Sequence, residues 1–514
     1  MPKPFFITTA IDYTNGAPHI GHAYEKVLAD ALARYQRIAG RDVFFLTGVD
    51  QHGQKVQQSA QKQGVAPSEF VAGITDAFLA LWKKLGVSYD AWAATTDPIH
   101  TRSVQAILQH LWDRGHFYKA KQTGYYSVRQ EQFLTDKERG EDGEFGPEWG
   151  EVVLIEEENY YFKLAEHRKW LLDLIDSRSS NGRPMVLPDF RVAELRNAVE
   201  KISGDLCISR PKSRLEWGIE IPFDKEFVTY VWFDALVNYI SFAGFDPAAG
   251  PQAGRFGELW PALHVIGKDI LIPPHGIYWP IMLKACGFSE DEIPTLLVHG
   301  WWNLAGAKMS KSLGNSVDPM ALAETYGVDA TRFYLLSDIV TGRDADFSEE
   351  RLIQRYNTDL ANSLGNLLNR SISMSKRYRS GVVRRAESPL AVFVSEKTLA
   401  WSRHMEAFEV HAAVEAAWEV ITRCNAYVEE SAPWKLAKDP AQAEKLDEVL
   451  YTLAEALRVI SILVTPFIPG SAGAIRTQLA WDGPVTLEAA AWGGLADGHQ
   501  LGEPTPVFPR IEIA

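Results

Sequence analysis

The chain has 514 residues, a formal net charge of −14, 46% hydrophobic residues, 16 Trp and 24 Phe. That length is too great for a single core and implies two or three domains, and the apolar content excludes a disordered chain. No apolar run reaches about 18 residues, so no membrane span is expected. The chain enters a core strand almost at once, which leaves no room for a signal peptide. Three scattered cysteines, Cys207, Cys286 and Cys424, offer neither a disulfide framework nor metal-ligand spacing. Together these features predict a cytoplasmic protein.

Phe5–Thr9 is a short apolar, β-prone run that reads as a buried strand. Asp12–Pro18 is rich in turn residues, and from His22 onward Val27, Leu28, Ala31, Leu32 and Tyr35 recur at helical spacing. His19, Gly21 and His22 therefore fall where a strand's C-terminal end meets a helix N-terminus, a ready anion site. Gly21 would let a base or phosphate approach the backbone, and the two histidines can donate to phosphate oxygens. Taken alone, a His-x-x-His at a helix start is more often a cap or a surface pair. Val43–Thr47 reads as a second strand, and Asp50 follows it between Gly48 and Gly53, as a ligand carboxylate or as a helix N-cap. Helical patterns continue through Glu69–Leu85 and Thr101–Asp113. Such alternation predicts a parallel sheet with helices on its faces and ligands beyond the strands' C-terminal edges.

Over 116–227 this pattern breaks: Thr123–Phe133 looks like hairpin material, and Glu131–Glu158 is acidic and turn-rich. The segment reads as an insertion between two halves of a nucleotide fold, packed through Trp149, Tyr160, Tyr161 and Phe162. The second half begins near Phe227. Val228–Val231 is strand-like, Trp232–Tyr239 should open a helix, and Leu263–Ile266 and Leu296–His299 complete the predicted sheet. Trp232, Ala235, Leu236 and Tyr239 share one helical face, an aromatic stripe that is more often core than pocket. A Gly-rich loop over 300–314 carries Lys308-Met309-Ser310-Lys311-Ser312. Two lysines so close suit a clamp on a polyphosphate, although such a run alone is usually just a solvated loop.

Asp318-Pro319 is a helix start, Asp as N-cap and Pro at the first helical position. Phe347–Arg379, Leu399–Glu429 and Leu446–Val464 then carry apolar residues at helical period, predicting a helix bundle. Between Leu360 and Ala386 there is no acid, while Arg370, Lys376, Arg377, Arg379, Arg384 and Arg385 are basic. An RNA face and a solvated helix end fit this run equally well. The distribution of charge, not its acidic sum, decides whether phosphates can be met.

The pair His19-Ile20-Gly21-His22 and Lys308–Ser312, in this order and far apart, resembles the HIGH and KMSKS signatures of class I aminoacyl-tRNA synthetases. Within that class several runs are similar to methionyl-tRNA synthetases: Thr8–Tyr13, Gly48–Gly53, Trp232–Ala235, Gly267–Ile270, His275 with Tyr278-Trp279-Pro280, and Phe508–Glu512. The similarity spans the chain. It implies a Rossmann-like parallel-sheet catalytic domain split into 1–115 and 228–318, a connective insertion over 116–227, a stem-contact region over 319–350, and an α-helical anticodon-binding bundle over 351–514. It also implies a methionine–tRNA ligase that uses ATP with Mg²⁺ and acts on L-methionine and tRNA(Met), expected to be monomeric because nothing after the bundle resembles a dimerising module.

Residue by residue, the resemblance assigns catalysis to His19, His22, Lys308 and Lys311, and ATP binding to these with Gly21, Gly267, Asp269, Met309 and Ser310. Methionine would lie among Ile11, Tyr13, Trp232, Ala235, Tyr239, His275 and Trp279, its ammonium on Asp50. Asn366, Arg370 and Trp434 would read the CAU anticodon. Two departures stand out. Ser127 and Gln130 occupy the positions of a cysteine pair that binds zinc in many relatives, so no zinc is expected. Four residues, Leu271–Pro274, separate Ile270 from His275 where three are expected, with Pro274 in place of an aromatic. A cysteinyl enzyme would need zinc-binding cysteines, and a simple nucleotidyltransferase would lack the helical domain. A silent tRNA-binding paralogue would have no need of intact His19, His22, Asp50, Lys308 and Lys311.

Overall fold

The computed structural model describes residues 3–127, 132–134, 138–140, 142–304, 306–308 and 316–512, without the side chains at 132, 133, 231, 307 and 308. Its centre is a seven-stranded sheet whose pairings are all parallel. The strands are β1 (Phe5–Thr9), β2 (Asp12–Tyr13), β3 (Val43–Asp50), β4 (Ala91–Ala94), β5 (Val186–Leu187), β6 (Leu263–Gly267) and β7 (Thr295–His299). Across the sheet the order is β3-β1-β6-β7-β5, with β4 on the outer side of β3 and β2 on the end of β3. Residues in β1, β3, β6 and β7 are buried almost without alternation, as expected for parallel strands covered on both faces. Strand order reverses beside β1, which opens a crevice at the C-terminal ends of β1, β3 and β6.

Three features differ from the sequence reading. The strand expected at Val228–Val231 is observed as Asp224–Thr229 and does not join the central sheet. It pairs antiparallel with Ser209–Pro211 and Glu220–Ile221 in a small sheet of its own. The edge of the central sheet is filled instead by β5, which comes from the insertion and pairs with β7. The insertion also contains two helices, Arg168–Ser180 and Val192–Glu200, where no pattern was expected. Their buried residues, Leu171, Leu174 and Ile175 in one and Leu195 and Val199 in the other, are too few to stand out from the polar run.

The expected hairpin is present. Phe117–Ser127 pairs antiparallel with Val152–Phe162 along its whole length and with Gln132–Leu134 at its end. Ser127 donates from Oγ to the Trp149 carbonyl at 2.5 Å. Nearby, the Arg214 guanidinium lies 4.2 Å from the Tyr126 ring centre, and that of Arg210 lies 4.6 Å from Tyr230. Gln130 lies outside the described residues. These contacts join the insertion to Tyr230, at the start of the helix Val231–Ser241.

The helix Ile20–Ile38 links the two large parts of the molecule. Tyr35 Oη bonds Ser402 Oγ (2.9 Å) and Glu406 Oε1 (2.8 Å) on the bundle helix Ala391–Glu406. Asp30 pairs with buried Arg332 at 2.7 Å, and Arg332 also donates to the carbonyls of Leu85, Pro466 and Phe467. One apolar core runs from β1 and β3 into the bundle helices Val410–Ser431 and Ala443–Leu463. Within the bundle, buried Glu455 pairs with Arg458 and accepts from the backbone N–H groups of Gly493, Gly494 and Leu495, pinning the segment after the last helix.

Candidate active site

A cavity of about 660 Å³ opens at the C-terminal edge of the sheet, lined by residues from β2, β3, β6 and β7, from the helices that start at Ile20, Gln54 and Val231, and from the loops beside them. His19, Gly21, His22, Ile11, Tyr13, Asp50, Trp232, Ala235, Tyr239, Gly267, Asp269 and His275 all line it. Twelve residues spread over most of the first 300 positions thus meet in one crevice.

His19 and His22 both cap the helix and face the cavity. The helix begins at Ile20, two residues before the start at His22 that its apolar spacing suggests, because His19 serves as its N-cap. His19 Nδ1 accepts from the Gly21 N–H at 3.1 Å, and His22 Nδ1 accepts from the His19 N–H at 3.1 Å. With Nδ1 accepting, each neutral ring carries its proton on Nε2. The rings stack with centroids 3.8 Å apart, and His22 meets Phe78 edge-on. A Cβ on residue 21 would lie 3.0 Å from the His19 ring, a tight contact that glycine avoids.

Asp50 ends β3 and is buried. Its Oδ1 accepts from the His52 N–H (3.2 Å) and Thr95 Oγ1 (3.3 Å). Burial, and then the neighbouring Asp234 carboxylate, push its carboxyl up to about 8. Opposite stand Tyr239 and His275. His275 donates from Nδ1 to the Ile270 carbonyl (2.8 Å) and accepts from Tyr239 Oη at Nε2 (2.7 Å). Burial lowers this imidazole to about 4, so it is a neutral acceptor. Trp232 meets His275 edge-on. Trp279 does not line the cavity; it stands behind Tyr239 at 5.7 Å and donates from Nε1 to His264 Nε2 at 3.1 Å.

The extra residue before His275 is absorbed by a wide turn. The chain kinks at Ile272, whose backbone is extended, and after it a wide turn brings the Trp279 N–H to the Pro274 carbonyl five residues back. Such a turn accommodates one inserted residue without displacing the helix that comes after it. Pro274 is buried in this turn, and His275 reaches the cavity all the same.

Lys308 lies on a short strand that pairs antiparallel with Trp302–Leu304, and Trp302 lines the cavity, so the lysine loop starts at its rim. Met309, Ser310 and Lys311 lie outside the described residues. Asp269 accepts from Trp301 Nε1 at 3.2 Å. In the bundle, Asn366 and Arg370 lie four apart on the helix Asn366–Arg379. The Arg370 guanidinium sits 5.7 Å from the Trp434 ring and pairs with Glu429 at 2.8 Å. Arg370 and Trp434 therefore meet, with Glu429 as a partner that the sequence did not suggest.

Sequence reasoning also missed an ionic network in the floor of the cavity. Lys26 is fully buried and bonds the Ala10 carbonyl (2.9 Å), Asp12 Oδ1 (2.6 Å) and Glu25 Oε1 (2.8 Å). Glu25 Oε2 lies 3.1 Å from His299 Nε2. Burial opposes charge on Glu25, yet Lys26 and His299 hold its carboxyl below the usual range; likewise Asp12 and Glu25 hold the Lys26 ammonium above its own despite burial. Asp12, Glu25 and His299 line the cavity, as do Lys55, Asn238 and Trp301. A Glu-Lys pair inside an otherwise apolar helical stretch was the available signal.

Comparison with known proteins agrees with this arrangement. The family model described as tRNA synthetases class I (M) matches residues 5–142 and 150–372, and that of the anticodon binding domain of methionyl tRNA ligase matches 379–513. The chain is 42% identical to a methionine–tRNA ligase of Deinococcus radiodurans, over 99% of this chain and 75% of the relative. It is 39% identical to that of Bacillus subtilis, over 99% and 78%. The Mycobacterium tuberculosis methionyl-tRNA synthetase in complex with methionyl-adenylate superposes with a TM-score of 0.90 at 36% identity, covering 99% of this chain and 100% of that one. With a cavity at the strand ends, a helical bundle behind it and full-length similarity of this degree, the chain belongs to the class I methionyl-tRNA synthetase family.

Proposed function

We infer that this protein is a methionine–tRNA ligase: it activates L-methionine with ATP and transfers the methionyl group to the 3′ end of tRNA(Met). The observation that carries the reading is one cavity in which a stacked histidine pair at a helix N-terminus faces a buried carboxylate and an aromatic wall. Donors and a dipole suit the nucleotide phosphates, Asp50 suits an ammonium, and Trp232, Tyr239 and neutral His275 suit a polarizable thioether.

In the first step a methionine carboxylate oxygen bonds to the α-phosphorus of ATP as the bond to the bridging oxygen of pyrophosphate breaks. Chemistry of this kind needs positioning and charge stabilisation more than a protein nucleophile. His19 and His22 donate to the α-phosphate through Nε2–H as charge builds there, and Lys308 and Lys311 attract the departing pyrophosphate. Gly21, Gly267, Asp269, Met309 and Ser310 complete the nucleotide site. ATP enters as its Mg²⁺ complex, the metal arriving with the substrate. In the second step a terminal ribose hydroxyl of the tRNA, the 2′-OH in this class, takes the methionyl group and releases AMP.

The family model for an anticodon binding domain supports tRNA contact at the bundle. Asn366 and Arg370 hydrogen-bond base edges there, and Trp434 stacks an unstacked base. The domain limits stay as proposed from the sequence: 1–115 with 228–318 for catalysis, 116–227 inserted, 319–350 toward the tRNA stem and 351–514 for the anticodon. The insertion works without zinc, held by aromatic and guanidinium packing. We place the enzyme in the cytoplasm as a monomer; among the described residues no single helix is long and apolar enough to cross a membrane.

The deciding experiment is amino-acid-dependent ATP–pyrophosphate exchange, with each of the twenty amino acids in turn and no tRNA. Exchange with methionine alone is expected. Exchange with another amino acid would overturn the pocket assignment, and none at all would overturn the catalytic reading.

A further inference from the structure

Behind the cavity wall lies a buried chain of groups that the reaction does not consume. Asp234 is 1% exposed and sits on the helix Val231–Ser241, whose Trp232, Ala235, Asn238 and Tyr239 line the cavity while Asp234 does not. Each carboxylate oxygen of Asp234 takes one imidazole: Oδ2 lies 2.6 Å from His52 Nδ1 and Oδ1 lies 2.7 Å from His100 Nε2. The other nitrogen of His100 is 2.8 Å from Ser241 Oγ, and its ring stacks on Phe242. The His52 ring meets Trp217 edge-on, and Trp217 Nε1 donates to the Gln51 carbonyl at 2.5 Å. The turn after β3, the helix Pro98–Asp113 and the helix Val231–Ser241 are thereby tied at one point.

That point adjoins Asp50, because the backbone N–H of His52 donates to Asp50 Oδ1 at 3.2 Å. Two buried carboxylates therefore stand close together, and two like charges in a poorly solvated place are not both retained without a cation between them. His52 is the group placed to supply it, bonded by its ring to one carboxylate and by its backbone to the other. Both oxygens of Asp234 are occupied, whereas Asp50 faces the cavity.

We propose that His52 is a positioning residue for the ammonium group of methionine: clamped with His100 on Asp234, it offsets the charge of that second carboxylate and so eases the ionisation of Asp50 when the amino acid arrives. The proposal rests on Asp50 as the ammonium site. It predicts a specific asymmetry. Without the imidazole, Asp234 loses one of its two partners, ionising Asp50 beside it becomes harder, and the carboxylate that meets the substrate is weakened. Without both the imidazole and the second carboxylate, the balance returns.

The test measures KM for methionine and for ATP by pyrophosphate exchange in the full chain, for His52→Gln, Asp234→Asn, the double variant and Asp50→Asn. His52→Gln is expected to raise the methionine KM about tenfold, equivalent to about one pKa unit, and to move the ATP KM less than about twofold. The double variant is expected to recover most of that loss, a coupling that independent structural damage does not produce. Equal rises in both KM values, an unchanged methionine KM in His52→Gln, or a double variant worse than either single one would overturn the proposal. Should Asp50→Asn leave the methionine KM unchanged, the assignment of Asp50 falls, and this inference with it. If Asp50→Asn loses methionine and His52→Gln does not, only this inference falls.

Discussion

Methionine binding should expel a proton from Asp50. In the free protein, burial and Asp234 raise this carboxyl to about 8, so at pH 7 most molecules carry the proton. An ammonium group pairs with a carboxylate, not with a carboxylic acid, so binding at pH 7 should release up to about one proton per methionine. The apparent Kd for methionine is therefore expected to weaken about tenfold for each unit of acidification between pH 7.5 and 5.5.

Stability responds in the opposite sense. A buried acid with a raised pKa holds a proton that the unfolded chain has already lost, so this group alone makes the free protein less stable as pH rises from about 4 to about 8. Bound methionine should flatten that slope. Calorimetric titration of methionine in two buffers of different ionisation enthalpy, repeated across pH, measures both the proton count and the Kd. A pH-independent Kd with buffer-independent heat would refute the reasoning, as would an unchanged proton release in Asp50→Asn.

His22→Ala should cut adenylate formation by about two decades or more, the scale of losing one donor to a developing charge, while leaving tRNA binding nearly intact; near-normal exchange would remove it from catalysis. Trp434→Ala should weaken aminoacylation through tRNA and spare pyrophosphate exchange, and loss of exchange instead would make Trp434 a structural residue. Lys26→Met removes the buried cation that Asp12 and Glu25 share, leaving Glu25 with His299, and should cost about 3–5 kcal/mol, read as a lowered urea midpoint. A midpoint within error of the parent would mean that the network contributes little to the fold.

The share of this protein legible in its sequence tracks the range of the interactions involved. Apolar runs in β1, β3, β6 and β7 were readable because strands covered on both faces need no partner to declare themselves. Asp318-Pro319 likewise reads as a helix start, and Asp318 does cap the helix by accepting from the Met320 N–H at 2.8 Å. His19, His22 and Asp50 were locatable because strand ends and helix starts are local features, and the resemblance supplied their chemistry.

Which pieces meet across long separations was a matter for the tertiary structure. β5 is a two-residue strand with no signal of its own, yet it closes the edge of the central sheet because β7 offers it a free row of backbone groups. The more plausible strand at Asp224–Thr229 was drawn away by its own hairpin partners. Trp279 belonged to the right motif but lies one layer behind the wall, since a helix presents only one face to the cavity. The same holds for charge. Lys26 with Asp12 and Glu25, and Asp234 between His52 and His100, are ordinary polar residues in the sequence. Burial beside each other fixes their orientations and shifts the pKa values of Glu25, Lys26, His52 and Asp234, and burial is decided by the whole fold.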